Sequence, residues 1–438
     1  MLAATVFAQS PSTFETHLNA GQSAMQLSRY TEADTQLHAA LADAARLDPA
    51  RPPARLVEAY SSLCDLDLLM GRYDEAIDLA GKAVQATEAL AQPATDLTPH
   101  LARLAGAYRA GGKTPLAVPV LQRMLAIDQT LGADDPKVSV DYEKLGSAYM
   151  EIGVIDEARS AYRHALDTRI SRLGPDHLDV ATSWVNLGIL EERSEKPEAA
   201  QTDFETALKI SEKNLGTESY GLTGILDRLG RLFSKEKRFS ESEPQFQRSL
   251  AIREKILGAR HSDVAEALDN LGTVYYFDAK YIEAEPLFQR ELQIWTATQD
   301  PTSPFIAQAL DNLGALYSAQ KRYADAEPFF RKALAIREEK DVDSLSNLAL
   351  LYQAINDLKR ADDYYQRAIL IGDKGLGGDH ATVVTVLDEY AKMLRAANRP
   401  VDAKKVETHL KELKDRLNPQ VNAGAVGATG AMPATGRK

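Results

Sequence analysis

Ala309 to Glu338 reads ALDNLGALYSAQKRYADAEPFFRKALAIRE, two segments of helical character joined by a short polar turn. Leu313 and Gly314 lie in the first segment, Ala326 follows Gly314 by twelve positions, and Phe330 comes four positions later. On a helix with 3.6 residues per turn, side chains at such offsets share one face. The stretch therefore predicts a pair of helices, each of which buries one face.

The Leu-Gly pair recurs in steps of 42 residues through the middle of the chain. The pairs are Leu145-Gly146, Leu187-Gly188, Leu229-Gly230, Leu271-Gly272 and Leu313-Gly314. Twelve residues after each glycine stands a small residue, in the order Ala158, Ala200, Ser242, Ala284 and Ala326. A recurring aromatic position holds Tyr162, Phe204, Phe246, Phe288, Phe330 and Tyr365. Self-similarity at a fixed period indicates a repeat architecture in which each unit packs on its neighbours.

The register changes once near the C-terminal end. After Gly314 the spacing drops to 35 residues, at Leu348-Ala349, and both small-residue positions shift together. We expect the seven missing residues to come from the end of a second helix and its turn, around Glu338 to Asp343. Upstream, a fainter register continues through Ala105, Cys64 and Gly21. The pattern predicts about ten units in total.

Small residues and prolines at fixed positions have structural explanations. Glycine or alanine lets two crossing helices approach closely, so the periodic glycines require no phosphate-binding or hinge role. Cys64 occupies the same position, so we expect a small buried residue and not a reactive thiol. Three prolines recur near the start of second helices, where a missing N–H removes little because first-turn donors lack an intrahelical partner. They are Pro244, Pro286 and Pro328.

The stretch from Ala309 to Glu338 resembles a tetratricopeptide repeat of the long-period kind found in kinesin light chains. The same register covers the chain from about Phe14 to Arg416. The resemblance implies an all-α fold, a right-handed superhelical solenoid of about ten helix-turn-helix repeats. It also implies that the first helices line a concave groove for partner peptides. Because this repeat serves many assemblies, the resemblance does not name a partner.

Four segments are predicted along the chain. They are 1–13, a disordered N-terminus or the remnant of an export signal; 14–134, degenerate repeats; 135–416, regular 42-residue units with one 35-residue unit; and 417–438, a disordered low-complexity tail. The export alternative rests on the apolar stretch from Leu2 to Ala8, with small residues where a cleavage site requires them. The expected location is therefore cytoplasmic, or exported or periplasmic if the N-terminus is the end of a signal peptide.

Charge and hydropathy limit the classes of partner. The chain carries 51 Lys and Arg against 63 Asp and Glu, a net charge of −12. An acidic chain argues against general nucleic-acid binding, which requires a basic footprint. No apolar run approaches the roughly 18 residues that cross a bilayer. We therefore expect a protein or peptide partner, with a monomer favoured.

No motif for catalysis, cofactor or metal stands up to inspection. Gly111-Gly112-Lys113-Thr114 ends like a phosphate-binding loop but lacks the preceding glycine and strand, so we expect a turn. Three histidines share an inter-repeat turn, and they lie at least two repeats apart, too far to share a metal at bond lengths of about 2 Å. We expect them to cap helices; they are His177, His261 and His380.

Candidate binding residues fall on the first helices, opposite the buried stripe. They lie two residues before, one residue after or five residues after the glycine of the Leu-Gly pair, or after the alanine that replaces this glycine in the shortened unit. The unit around Gly230 places three basic residues there, and later units place asparagines that offer amides to an extended peptide. The candidates are Lys144, Asn186, Arg193, Arg228, Arg231, Lys235, Asn270, Phe277, Asn312 and Asn347. The alternative is a solvated helix face that simply carries polar residues.

The sequence thus favours a scaffold that binds an acidic or amphipathic partner segment in a concave groove. Two other functions stay open. The first is a structural solenoid that self-assembles through its end repeats, and the second is a regulatory or enzyme-associated module. No catalytic role is expected.

Overall fold

A computed structural model describes residues 13–46, 54–90, 93–132, 135–338, 340–374 and 380–417. Within these ranges the chain forms twenty α-helices, three short 3-10 helices and no strand. The 3-10 helices are Ala94–Leu97, Gln129–Leu131 and Tyr220–Leu222. In the described part, no helix is both long and apolar enough to cross a membrane. The predicted terminal segments lie outside these ranges, apart from positions 13 and 417.

The chain divides into two compact units, Met1–Thr217 and Glu218–Lys438. Helices of the first unit are α1 Thr13–Gln26, α2 Tyr30–Arg46, α3 Ala54–Leu69, α4 Tyr73–Glu88, α5 Thr98–Ala110, α6 Thr114–Asp128, α7 Pro136–Glu151, α8 Ile155–Leu173, α9 Leu178–Arg193 and α10 Pro197–Leu215. Those of the second unit are α11 Thr223–Lys235, α12 Phe239–Leu257, α13 Ser262–Phe277, α14 Tyr281–Thr298, α15 Pro304–Ala319, α16 Tyr323–Ile336, α17 Val342–Ala354, α18 Leu358–Asp373, α19 His380–Ala396 and α20 Pro400–Leu417.

Each odd-numbered helix makes its most extensive contacts with the even-numbered helix that follows it. Within each unit, every such pair also contacts the next pair along the chain. Five pairs therefore stack in the first unit and five in the second. The prediction of about ten helix-turn-helix repeats is confirmed.

The periodic glycines meet the periodic aromatics. A Cβ built on Gly230 would lie 2.7 Å from two ring atoms of Phe246, and one on Gly314 would lie 2.6 Å from the ring of Phe330. The same encounter occurs at Gly146, Gly188 and Gly272. The first helix therefore has no side chain at this position because the aromatic ring of the second helix occupies that space.

First helices also approach one another. In the second unit, α11 contacts α13, α13 contacts α15, α15 contacts α17, and α17 contacts α19. In the described part, neighbouring second helices do not contact one another to the same degree. A stack whose first helices lie closer together curves towards them, so these helices form the concave side of the second unit.

The shortened unit is confirmed by the length of α16. Helix α16 has 14 residues where α8, α10 and α12 have 19 each, and the missing residues come from its C-terminal end.

The predicted position of the prolines is wrong by about one turn. Pro244 lies inside α12, Pro286 inside α14 and Pro328 inside α16, each at the sixth residue of its helix. Each proline therefore removes one backbone hydrogen bond that the helix would otherwise form.

Turns and caps follow the predicted register. Gly112 has φ 69° in the turn between α5 and α6, a left-handed conformation that suits glycine, so the phosphate-loop resemblance is a turn. His177 Nδ1 accepts from the N–H of Asp179, and His261 Nδ1 accepts from the N–H of Asp263. Both histidines thus cap first helices, as predicted. The side chain of His380 lies outside the described residues.

Cys64 is fully buried among Ala76, Ala80 and Ala107. Burial raises the pKa of its thiol to about 12. A thiol with so high a pKa stays protonated at neutral pH and is a poor nucleophile. The prediction of a small buried residue is confirmed.

Replacing Gly230 by alanine should destabilise the protein by about 1–3 kcal/mol, since the new methyl group collides with the Phe246 ring. Gly224, in the same helix, has no atom within 4 Å of its added Cβ, so Gly224→Ala should be neutral or stabilise by up to about 1 kcal/mol. Melting temperatures from circular dichroism compare the two variants. Equal melting temperatures would show that the glycine–aromatic contact does not set the helix spacing.

Candidate protein-binding surface

Helix α11 presents the basic cluster that the sequence predicts. Its apolar face is buried through Leu226, Leu229 and Phe233, among others. Arg231 and Lys235 are exposed, whereas Arg228 is half-buried and already interacts within the protein. Within the described residues, neither Arg231 nor Lys235 forms a hydrogen bond or an ion pair. The three cations are spaced by three and four residues, so they share one face of α11.

The asparagine row connects neighbouring repeats. Asn312 Nδ2 donates to Asp269 Oδ1 at 2.7 Å, and Asn186 Nδ2 donates to Glu143 Oε1. Each acceptor lies 43 residues earlier, on the first helix of the preceding repeat. These two amides are therefore engaged within the solenoid. Asn270 and Asn347 are half-buried, and their side chains make no hydrogen bond in the described part of the chain.

A buried acidic group lies beneath Asn312. Glu291 is 1% exposed, and its Oε2 lies 3.4 Å from Asn312 Nδ2. Burial raises the pKa of Glu291 to about 9, and nearby Asp269 raises it further. Burial also raises the pKa of Asp269, against hydrogen bonds from Asn312 and Thr273. At neutral pH, Glu291 is therefore protonated.

Apolar side chains follow the basic cluster along the second unit. Phe277, at the end of α13, is 62% exposed, and Leu350 on α17 is 40% exposed. Ala354 is exposed on the same helix, and Ala319 on α15 is half-buried. Within the second unit, the predicted basic residues thus lie on α11, and Phe277 and other apolar side chains lie with the predicted asparagines on the later first helices.

In the first unit, the predicted residues are fewer. Lys144 lies on α7, with its Nζ 3.7 Å from Asp141 Oδ1, so it faces a carboxyl group of its own helix. Asn186 and Arg193 lie on α9, and Arg193 is exposed. These three residues belong to first helices, as predicted.

Three arginines that pair with acids at equivalent positions were missed in the sequence; Arg169 and Arg253 are buried, and Arg337 is half-buried. Arg169 Nη2 lies 2.6 Å from Glu143 Oε2, Arg253 Nη2 lies 2.6 Å from Asp227 Oδ2, and Arg337 pairs with Asp311. Each arginine stands 23 residues after the glycine of its repeat, on the second helix or, for Arg337, directly after it, and its acid stands three residues before that glycine. The sequence could have predicted these pairs, because the arginine and the acid each recur at a fixed distance from the glycine.

Comparisons with known proteins agree with this architecture. Models of the tetratricopeptide repeat match residues 138–213, 222–290, 264–339 and 342–382, which together exceed half of the chain. No curated protein matches the chain.

Several solved structures are similar to the chain at low sequence identity. Apo RapI is 17% identical, with a TM-score of 0.50 over 64% of this chain and 99% of that one. BtubC (BKLC) from P. vanneervenii is 22% identical, with a TM-score of 0.43 over 55% of this chain and 91% of that one. A putative kinesin light chain from Podosopora anserina is 18% identical, with a TM-score of 0.43 over 47% and 97%.

Glu291→Gln should remove a pH-dependent loss of stability. The pKa of Glu291 is raised from 4.5 to about 9, so the native state holds a proton that the unfolded chain releases, and wild-type stability falls as pH rises through that window. Glutamine keeps the shape and cannot ionise. The melting temperature of the variant should therefore exceed that of the wild type by a margin that widens between about pH 5 and 9.

Glu283→Gln is the matched control, because Glu283 is exposed on the same helix α14. Its effect should not change with pH. A Glu291→Gln curve parallel to the wild-type curve would show that Glu291 is ionised in the native protein.

Proposed function

Since the chain belongs to the tetratricopeptide repeat family, a family of protein-interaction scaffolds, we propose that its second unit binds an acidic, amphipathic segment of a partner protein. The segment lies along the concave side formed by the first helices α11, α13, α15 and α17. Its acidic part meets α11, and its apolar part meets α13 and α17. The observation that carries this proposal is the exposed pair Arg231 and Lys235.

Charge complementarity supports the acidic part. Arg231 offers a planar guanidinium that binds a carboxylate through two hydrogen bonds, and Lys235 adds a point charge one turn further on. Most other cations of this unit pair with acids of the protein itself, as Lys280 does with Glu243 and Arg322 with Asp325. Arg231 and Lys235 are thus available for an external anion. Each exposed ion pair contributes about 0.2–1 kcal/mol, so affinity requires several contacts.

Exposed apolar side chains support the amphipathic part. Phe277 ends α13 beside Tyr276, whose ring centroid lies 5.3 Å from its own. Leu350 lies two first helices further on. Burying a side chain of this size contributes about 1.5–3 kcal/mol, which exceeds the contribution of an exposed ion pair. The charges therefore select and orient the segment, whereas the apolar contacts supply most of the affinity.

The double variant Arg231→Glu, Lys235→Glu should weaken binding of an acidic peptide about tenfold or more, which corresponds to roughly 1.4 kcal/mol. The probe is a fluorescent peptide in which a run of glutamates precedes leucine and tryptophan, measured by fluorescence polarisation. A second variant, Phe277→Ala, should weaken binding of the same peptide and leave its salt dependence unchanged. Arg228 is left intact because it interacts within the protein.

The matched control is Lys332→Glu, Lys359→Glu, which changes net charge equally on the second helices α16 and α18, where both lysines are exposed. This control should bind like the wild type. Equal weakening by both double variants would reduce the effect to net charge. Equal affinity of the wild type for the peptide and for its lysine-substituted counterpart would contradict the proposal.

A further inference from the structure

The arginines paired with acids show how this fold accommodates a guanidinium group. Arg169 reaches from α8 to Glu143 on α7, and its Nη1 also donates to Ser183 Oγ at 2.7 Å on the next first helix, α9. Arg337 does the same with Asp311 and with Ser344 Oγ. A site between two successive first helices thus holds an arginine of the intervening second helix, with an acid on one side and a hydroxyl on the other.

The repeat of α5 and α6 has lost this arrangement at all three positions. The position of the acid holds Ala102, the position of the arginine holds Asp128, and the position of the serine on the next first helix holds Asp141. A short side chain replaces a long one at two of these positions, and the only cation of the original site is gone. The site changes from filled and neutral to open and acidic.

A cavity of about 290 Å³ occupies this place, lined by residues of α5, α6 and α7. Ala102, Asp128 and Asp141 are all part of its wall, together with Pro99, Met124 and Pro136. This volume is close to the lower limit for ligand pockets, so the cavity suits a single side chain better than a drug-sized ligand. The apolar wall would cover an alkyl stem.

The two carboxyl groups lack adequate donors. Asp128 and Asp141 are each 2% exposed, and Asp128 Oδ1 and Asp141 Oδ2 are buried without a hydrogen-bond partner in the described structure. Lys144 Nζ, at 3.7 Å from Asp141 Oδ1, is too distant for a hydrogen bond. Burial raises the pKa of Asp141 to about 7, Lys144 opposes the rise, and Asp128 adds to it. The raised pKa means that Asp141 binds a proton more readily than an exposed carboxyl group does.

We propose that the cavity between α5, α6 and α7 binds the guanidinium group of an arginine in a partner peptide. The guanidinium takes the place that Arg169 and Arg337 occupy in their own repeats, and it donates to both Asp128 and Asp141. Its planar fork satisfies two carboxylates at once, whereas a lysine ammonium is a point charge. This site lies in the first unit and takes a cation, so it is independent of the acidic-segment site on α11.

Binding of a cation here is linked to proton release. The charged groups that line the cavity are Asp128 on α6 and Lys137, Asp141 and Lys144 on α7, and α5 contributes none. The guanidinium favours the ionised carboxyl groups, so it displaces the proton that Asp141 holds. Affinity should therefore rise with pH through about 7.

The test measures binding of Nα-acetyl-arginine methylamide to the full chain by saturation-transfer difference NMR. The uncharged citrulline analogue should bind about tenfold more weakly or not at all, and the lysine analogue should lie between them. Methylguanidine carries the head group without the peptide, so it should bind more weakly than the arginine derivative. Equal affinity for methylguanidine would assign the site to free guanidinium compounds and overturn the peptide assignment.

Two variants locate the site. Asp128→Asn, Asp141→Asn keeps the shape, relieves the buried acids, and should weaken arginine binding about tenfold or more while abolishing its pH dependence. The triple variant Ala102→Glu, Asp128→Arg, Asp141→Ser rebuilds the arrangement of Glu143, Arg169 and Ser183. It should lose arginine binding and gain in melting temperature, which distinguishes a filled site from a misfolded chain.

Lys144→Met provides the opposite change, since it removes the cation that competes with the ligand, and it should tighten binding. Wild-type affinity for the arginine derivative equal to that for the citrulline analogue would overturn the proposal. So would undiminished binding by the triple variant with a raised melting temperature, because its cavity would then be filled by its own arginine.

Discussion

The contact between a glycine of the first helix and an aromatic ring of the following helix, made in the five successive repeats from α7 to α16, sets the geometry on which the rest of the structure depends. The Phe246 ring occupies the space that a Cβ of Gly230 would need, and the same holds for Gly314 and Phe330. A ring in that place allows one separation and one register of the two helices. Equivalent positions then meet similar neighbours in different repeats. His177 and His261 therefore cap equivalent first helices, and Arg169, Arg253 and Arg337 pair with equivalent acids.

This common frame makes departures from the repeat physically meaningful. A buried arginine paired with an acid is costly to break, since removing one partner leaves a charge without compensation in a medium of low polarity. Where the arginine is replaced by Trp295, the half-buried acid Asp269 takes a hydrogen bond from Asn312 and has a raised pKa. Where it is replaced by Asp128, no substitute donor appears, and the cavity remains. The two departures are thus resolved differently.

The fold could be predicted from the sequence because several positions repeat together, including the shortened unit before Leu348. The position of a residue within its helix was harder to predict to better than one turn. The prolines of α12, α14 and α16 lie at the sixth helical residue, and the sequence alone does not mark where each helix begins. The asparagine row was predicted as a groove feature, yet Asn186 and Asn312 donate to acids of the preceding repeat. That pairing joins positions of different repeats, which a pattern read within one repeat does not show.

A stack of repeats distributes its stability over local contacts. Because each pair of helices contacts only its neighbours, the stability of the stack is close to a sum of local terms. One repeat can therefore lack a buried ion pair without unfolding the others, provided that its apolar faces stay packed. Around α5 and α6 the core persists through Leu101, Leu121 and Met124, all fully buried. The packed core keeps this repeat folded although it departs from the pattern, which is why Asp128 and Asp141 can remain buried beside a cavity.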